Sequence, residues 1–329
     1  MARIVRFYQH GGPEVLRIED VEVAPPGPGE VRIAFKALGL NRAEALMRSG
    51  SYIETPSLPS GLGLEAAGIV DQVGPGVTSV EKGDAVSIVP PVSMSRWPAY
   101  AELANFPAEL VIKHPPLLGW EGAAALWMAY LTAYGALVDI ARLGHGDTVA
   151  ITAASSSIGL AAIQIARLVG ARPIALTRGS DKKDSLIEAG AAHVIATGEE
   201  DVGTALQALA GHGGVRVVLD PVGGPLFVPL TAAMSPGGIL LEYGGLSREP
   251  TPFPLFTVLS KHLTLRGYLV HEILTDPERL AAATRFIADG VTSGALRPVI
   301  ARVFPFEQIV EAHRFLESNA QFGKVVVTL

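Results

Sequence analysis

Between about residue 120 and residue 270 the chain alternates short, almost wholly apolar runs with stretches of helical periodicity. Thr148-Val149-Ala150-Ile151-Thr152 leads into Leu160-Ala161-Ala162-Ile163-Gln164-Ile165-Ala166, ended by Gly170. Arg172 to Thr177, Ala192 to Ile195, Val215 to Asp220, Gly238 to Tyr243 and Leu263 to Gly267 continue the series, with a short helix expected from Asp181 to Glu188. Strands apolar along their whole length and separated by helices belong to a parallel sheet covered on both faces, which makes this an α/β chain. The flanks differ. Residues 1 to about 115 are crowded with turn formers, such as Gly11-Gly12-Pro13, Pro25-Pro26-Gly27-Pro28-Gly29 and Gly74-Pro75-Gly76, between short β-type runs such as Glu30 to Ala37. That pattern predicts a compact antiparallel barrel. Beyond residue 275, helices over Glu278–Ala288 and Phe306–Ser318 and strands over Pro298–Phe304 and Lys324–Leu329 lack the βαβ rhythm, and the last strands are expected to return to the barrel.

With 49% hydrophobic and 18% charged residues, the chain can bury enough apolar surface to offset the entropy of ordering. A net charge of −6 offers no general attraction to phosphate backbones or anionic lipid. The absence of cysteine excludes disulfides, thiolate catalysis and any zinc site with a cysteine ligand. The start, Met1 to Gly12, lacks the apolar core of a signal peptide, so a cytoplasmic protein is expected. The uncharged stretch Gly122–Val138 has 17 residues, short of the roughly 20 that cross a bilayer, and reads as a helix buried in the fold.

Ala154-Ser155-Ser156-Ser157-Ile158-Gly159 stands between a strand and a helix. It is a degenerate form of the dinucleotide turn G-x-G-x-x-G, with Ala154, Ser156 and Gly159 at the three glycine places. Small residues there let backbone approach a pyrophosphate, and the following helix offers it free N–H groups and the positive end of its dipole. The alternative is a plain strand–turn–helix with serine caps. The next strand ends not on the acidic residue of an NAD site but on Thr177-Arg178-Gly179-Ser180-Asp181-Lys182-Lys183, whose cations and serine suit a 2′-phosphate. This predicts NADPH as the cofactor; the alternative is a solvated charged loop.

Several longer motifs then point the same way: Gly39-Leu40-Asn41-Arg42-Ala43-Glu44, Arg48-Ser49-Gly50-Ser51-Tyr52, Pro56 to Val70, Gly83-Asp84-Ala85-Val86, Asp220-Pro221-Val222-Gly223 and Gly323-Lys324-Val325-Val326-Val327. In this order, and almost end to end, the chain resembles the zinc-independent quinone oxidoreductases (zeta-crystallin-like proteins) of the medium-chain dehydrogenase/reductase superfamily. The resemblance implies a GroES-like β-barrel catalytic domain over 1–121, a Rossmann doubly wound parallel sheet over 122–270 and a C-terminal return to the catalytic domain over 271–329. It implies a cleft between the domains and a homodimer. Zinc-dependent relatives hold their metal with cysteine and the histidine of a Gly-His-Glu motif; here the triplet is Gly63-Leu64-Glu65, so no metal is expected. Without a Lewis acid to ionise an alcohol, a quinone or an activated alkene is the fitting acceptor, because hydrogen-bond donors suffice to stabilise its oxyanion.

The resemblance also assigns residues. Asn41 matches an amide donor to the acceptor oxygen or the ribose, and Tyr52 a pocket tyrosine that packs on the ring or supplies a proton; these two are the catalytic candidates. The cofactor-binding candidates are Asn41, Arg42, Thr132, Ser156, Ser157, Ile158, Arg178, Ser180, Lys182, Tyr243, Gly244, Gly245, Leu269, Val270 and Lys324. Lys182 is expected on the 2′-phosphate, Leu269 and Val270 beside the nicotinamide, and Lys324 on the cofactor from the tail. The bland alternatives are a turn residue for Asn41, a loop aromatic for Tyr52 and a helix-interior threonine for Thr132. Two family tyrosines are replaced, by Leu46 in the substrate pocket and by Thr197 near the adenine. NADPH-dependent quinone reduction is therefore expected. An enoyl, 2-alkenal or haloacrylate-type C=C reductase is the alternative, and a cleft widened by Leu46 and lined by Trp127, Tyr130 or Tyr134 suits either reading. A non-enzymatic structural or RNA-binding role is the reading from another class, and the lack of a basic, aromatic stripe speaks against nucleic acid.

Overall fold

A computed structural model describes Met1 to Leu329. The N-terminal turn formers punctuate eight strands: β1 (Ala2–Phe7), β2 (Leu16–Val21), β3 (Glu30–Leu40), β4 (Ser60–Gly61), β5 (Ala66–Val73), β6 (Ala85–Ile88), β7 (Leu103–Pro107) and β8 (Val111–Lys113). The alternating region supplies β9 (Thr148–Ile151), β10 (Arg172–Thr177), β11 (His193–Ala196), β12 (Val215–Asp220), β13 (Met234–Glu242) and β14 (Thr264–Gly267). The chain ends with β15 (Ile300–Pro305) and β16 (Lys324–Thr328). Two compact units result, one of Met1–Met128 with Arg297–Leu329, the other of Ala129–Leu296.

In the first unit β3 is the organising strand. Its N-terminal half alternates half-buried and buried residues and its C-terminal half is buried on both faces, the period-2 pattern of a strand passing from sheet surface to core. Around it runs the order β15-β16-β3-β5-β6-β8, with β7 also on β3, while β2-β1-β4 forms a smaller sheet. The tail does return here: β16 pairs antiparallel with β3, Val325 opposite Leu40. That register brings Lys324 to Asn41, the residue after β3. Small side chains allow close approach nearby. A Cβ on Gly39 would stand 1.9 Å from the Ala124 carbonyl oxygen, where Ala37, Ala67, Ala123, Ala124, Ala125 and Val326 pack together.

The second unit is a parallel sheet in the order β11-β10-β9-β12-β13-β14. β9, the first strand in sequence, lies centrally, and the winding reverses between it and β12. Crevices for ligands open outside the carboxyl ends of strands at such a switch point. Ile174, Leu176, Ile195, Leu206, Val218, Leu230 and Leu240 build the core on one face.

The division falls after residue 128 and after residue 296, not at 121 and 270. Side chains explain the later position. Arg279, in the helix Pro277–Thr292, pairs with Asp139, and Phe286 of the same helix packs on Tyr134 with ring centroids 5.1 Å apart. That helix therefore stays with the parallel sheet, and only the chain from Arg297 returns. The helical run Trp120–Ile140 has 21 residues and a mean hydropathy of 1.4, longer than the uncharged stretch suggests and enough to cross a membrane by length. It is a core element: Trp127, Leu131, Ala133 and Leu137 are wholly buried.

Candidate functional site

The turn after β9 is built by backbone geometry. Ala153 has a positive φ of 45°, a strained conformation for a residue with a Cβ, and it swings the chain from strand to helix. Ser156 caps the helix Ser157–Leu168, its Oγ accepting from the Gly159 N–H at 3.0 Å. A Cβ on Gly159 would lie 2.5 Å from the Ala154 carbonyl oxygen and 2.6 Å from its Cα. Glycine is required there for helix and turn to pack so closely. Ser156, Ser157 and Ile158 are half-buried, with the first turn of the helix presenting its N–H groups beyond them.

The cations after β10 separate into two kinds. Lys182 reaches back over the turn to Ser155, Nζ to Oγ 3.5 Å. Partial burial first, and the charge of Arg178 as well, push its ammonium below the ordinary lysine range against the pull of Asp181. Two cations beside a helix N-terminus have the chemistry that suits an anion. Lys183, by contrast, is paired with Glu200 at 2.7 Å and leaves the cluster. Ser180 is exposed, and both its N–H (2.8 Å) and its hydroxyl (3.1 Å) donate to Glu199, an acid the sequence reading did not single out. Beside them, at the carboxyl ends of β11 and β12, Thr197, Asp201, Val222, Gly223, Pro225 and Ser247 line an open depression of about 430 Å³.

At the end of β13, Tyr243 is half-buried. Gly244 and Gly245 are exposed. Leu269 is 40% exposed whereas Val270 is buried. Thr132 is buried inside the helix Trp127–Tyr134. The turn, Lys182, Arg178, Tyr243 and the depression thus share one edge of one sheet. Their chemistry fits an NADP-type dinucleotide: amides for a pyrophosphate, cations for a 2′-phosphate and a shallow slot for a base.

In the first unit the candidates sit in a buried polar network. Lys324, only 1% exposed, donates from Nζ to Asn41 Oδ1 at 2.6 Å and to Glu65, which is fully buried. The Asn41 amide nitrogen faces the Gly39 carbonyl (3.2 Å) and Glu44 Oε1 (3.3 Å). Glu44 also accepts from the Asn41 N–H at 2.6 Å, the Leu64 N–H at 2.9 Å and the Tyr100 hydroxyl at 2.6 Å. His313 Nε2 lies 3.3 Å from that hydroxyl. Asn41 is therefore clamped on both sides of its amide. Lys324 is buried beneath it, bonded to Asn41 and Glu65. Arg42 is likewise spent locally, its guanidinium bonding the Leu316 carbonyl at 2.9 Å and the Asn319 side chain at the end of the last helix.

Tyr52 is half-buried, and its phenol is pushed up to about 12, by burial first and then by Glu54 and Glu44. It keeps its proton at ordinary pH and suits a hydrogen-bond donor better than an acid. Trp127 and Tyr130 are almost wholly buried, the Tyr130 hydroxyl bonding Gln164 at 2.7 Å, so these rings are core and not pocket lining. Glu44, Tyr100 and His313 were missed. Asn41 and Glu44 do have the spacing of a capping box, the one sequence signal that leads to them.

The chain is similar to known proteins over its whole length. A family model described as an alcohol dehydrogenase GroES-like domain matches residues 27–125, and one described as a zinc-binding dehydrogenase matches 189–327. The metal named in the second description has no ligands here: the chain lacks cysteine, Leu64 fills the histidine place, and no three His, Asp or Glu side chains gather as a metal site. Quinone oxidoreductase 1 of Escherichia coli K12 is 33% identical over 331 residues, covering 98% of both chains. The crystal structure of E. coli quinone oxidoreductase complexed with NADPH superposes with a TM-score of 0.91 at 31% identity over 100% of both chains. An NAD-dependent alcohol dehydrogenase does so with a TM-score of 0.89 at 32% identity over 99% of both. By its two-part fold, its motifs and these full-length matches, the chain belongs to the zinc-independent quinone oxidoreductase family of the medium-chain dehydrogenase/reductase superfamily.

Proposed function

We propose that this protein is an NADPH-dependent oxidoreductase that reduces a quinone. The observation that carries the cofactor is Lys182 leaning onto Ser155 of the dinucleotide turn with Arg178 beside it. NADPH, when bound, supplies the hydride. The chain's own part is to bind and orient: the turn Ala153–Gly159 takes the pyrophosphate, Lys182 and Arg178 the 2′-phosphate, and the depression lined by Thr197 and Val222 the adenine. Val270 and Leu269 offer apolar surface for the nicotinamide, and Tyr52 offers a hydroxyl that holds its proton to about 12. Holding donor and acceptor in fixed geometry is the largest contribution a metal-free site of this kind makes.

Leu46, where relatives carry a tyrosine, favours a second reading, a C=C reductase of enals, enoyl thioesters or haloacrylates, since it removes a polar contact suited to a quinone oxygen. The protein acts in the cytoplasm as a homodimer in this proposal. Phe253, Leu255, Phe256 and Leu259 are 50% to 81% exposed close to the unpaired edge strand β14, apolar surface of the kind that marks an interface.

The test is NADPH and NADH oxidation with 9,10-phenanthrenequinone, 1,4-benzoquinone, 2-alkenals and enoyl thioesters in parallel, on wild type and Lys182→Ala. Turnover of a quinone with NADPH in preference to NADH, and at least tenfold loss of NADPH affinity in the variant, is expected. Turnover of alkenes alone establishes the second reading, and tight NADPH binding with no turnover establishes a binding protein.

A further inference from the structure

Asp220 ends β12 and Glu242 ends β13, directly paired across two neighbouring parallel strands. Asp220 is fully buried and well supplied with donors. Its Oδ1 accepts the Thr152 hydroxyl and the Val222 N–H (2.9 Å), and its Oδ2 the Gly223 N–H (3.1 Å). Glu242 is the opposite case: both carboxyl oxygens are shut off from solvent, and neither receives a donor of good geometry. Two buried carboxylates side by side, one without donors, are costly. A proton on Glu242 removes the second charge and gives Asp220, which has a lone pair left, a fourth donor.

We propose that Asp220 and Glu242 share one proton, and that this acid pair is a positioning device that holds the dinucleotide turn in its binding shape. Its bonds reach the loops that follow β9 and β12. Thr152 joins β9 to the strained Ala153, and Val222 and Gly223 line the depression. The inference rests on reading that turn as the NADPH site. It also keeps a second negative charge away from a polyanionic ligand.

The groups around Glu242 are consistent with a retained proton. Asp220 faces it from β12, Tyr243 follows it on β13, and β14 presents Gly267, which has no side chain, at the paired position. Gly223 lies between it and the Thr251 hydroxyl. Burial first, then the Asp220 charge, push the Glu242 carboxyl up to about 9, against a weak opposing pull from the Gly244 N–H.

Glu242→Gln keeps a donor toward Asp220 and cannot ionise. Without cofactor, the folded wild type retains a proton that the unfolded chain gives up near the ordinary glutamate value, so its stability falls as pH rises until about 9 and is level above it. Thermal unfolding from pH 6 to 10 is expected to show the wild-type Tm dropping against E242Q by about 2–4 °C per pH unit and then running parallel. The NADPH Kd of wild type, relative to its own value at pH 7, is expected to climb up to tenfold per unit above pH 9, with no such climb in E242Q. Parallel Tm profiles overturn the shared proton. Diverging Tm profiles with parallel Kd profiles overturn the positioning role. Absence of NADPH binding at any pH overturns the cofactor reading and the positioning role with it, while the cofactor-free Tm profiles still decide the proton.

Discussion

Replacing Lys324 by methionine removes a charge from a place that water does not reach. Lys324 and Glu65 are 1% and 0% exposed, and the ammonium also satisfies Asn41 Oδ1. In K324M the Glu65 carboxylate keeps one donor, the Met128 N–H at 3.1 Å, and stands buried with its charge unmatched. Breaking such a pair from one side costs about 3–5 kcal/mol, and the orphaned Asn41 oxygen places the loss in the upper part of that range. Lys324→Met with Glu65→Gln removes both charges and preserves an acceptor for Met128, so a large part of the loss is expected to return, with a coupling of about 2 kcal/mol in the double-mutant cycle. The assay is urea unfolding followed by tryptophan fluorescence. All three tryptophans, Trp97, Trp120 and Trp127, lie in the first unit, so the signal reports the unit that holds the pair. A loss below about 1 kcal/mol in K324M, or a double variant no more stable than the single one, would refute the reasoning.

Two further outcomes follow. His313 is wholly buried, and burial, with Arg48 and Arg42 nearby, lowers its imidazole to about 3. The unfolded chain takes up a proton below about 6.5 that the folded chain refuses, so stability is lost as pH falls, by about 2 kcal/mol at pH 5; in urea unfolding at pH 7, 6 and 5 that slope should be absent from His313→Phe. Phe256, 81% exposed on the helix Leu255–Lys261, is expected to lie in the dimer interface, so Phe256→Glu should sediment as a monomer where the wild type sediments as a dimer; equal masses for the two would rule that surface out.

Much of the second unit was legible in the sequence because its signals are local. A strand, a small-residue turn and a helix are consecutive, and Arg178 and Lys182 follow closely on the next strand. Even there, pairing escaped the sequence. Nothing along the chain says that Glu200 takes Lys183, or that Glu199 takes Ser180, since each contact depends on how β10 and β11 lie side by side. The resemblance placed the helix Pro277–Thr292 with the tail, whereas Arg279 and Phe286 fasten it to Asp139 and Tyr134.

By itself the sequence determined the α/β class, the small-residue turn between strand and helix and the exclusion of a cysteine-ligated zinc, since each rests on which residues are present and in what order. The tertiary structure alone decided that Lys324 meets Asn41 and Glu65, because β16 reaches β3 across 283 residues. It likewise decided that Glu242 meets Asp220, because two parallel strands end in register. In both places a charge is defined by what surrounds it after folding, and burial converts ordinary surface residue types into the groups that shape the site.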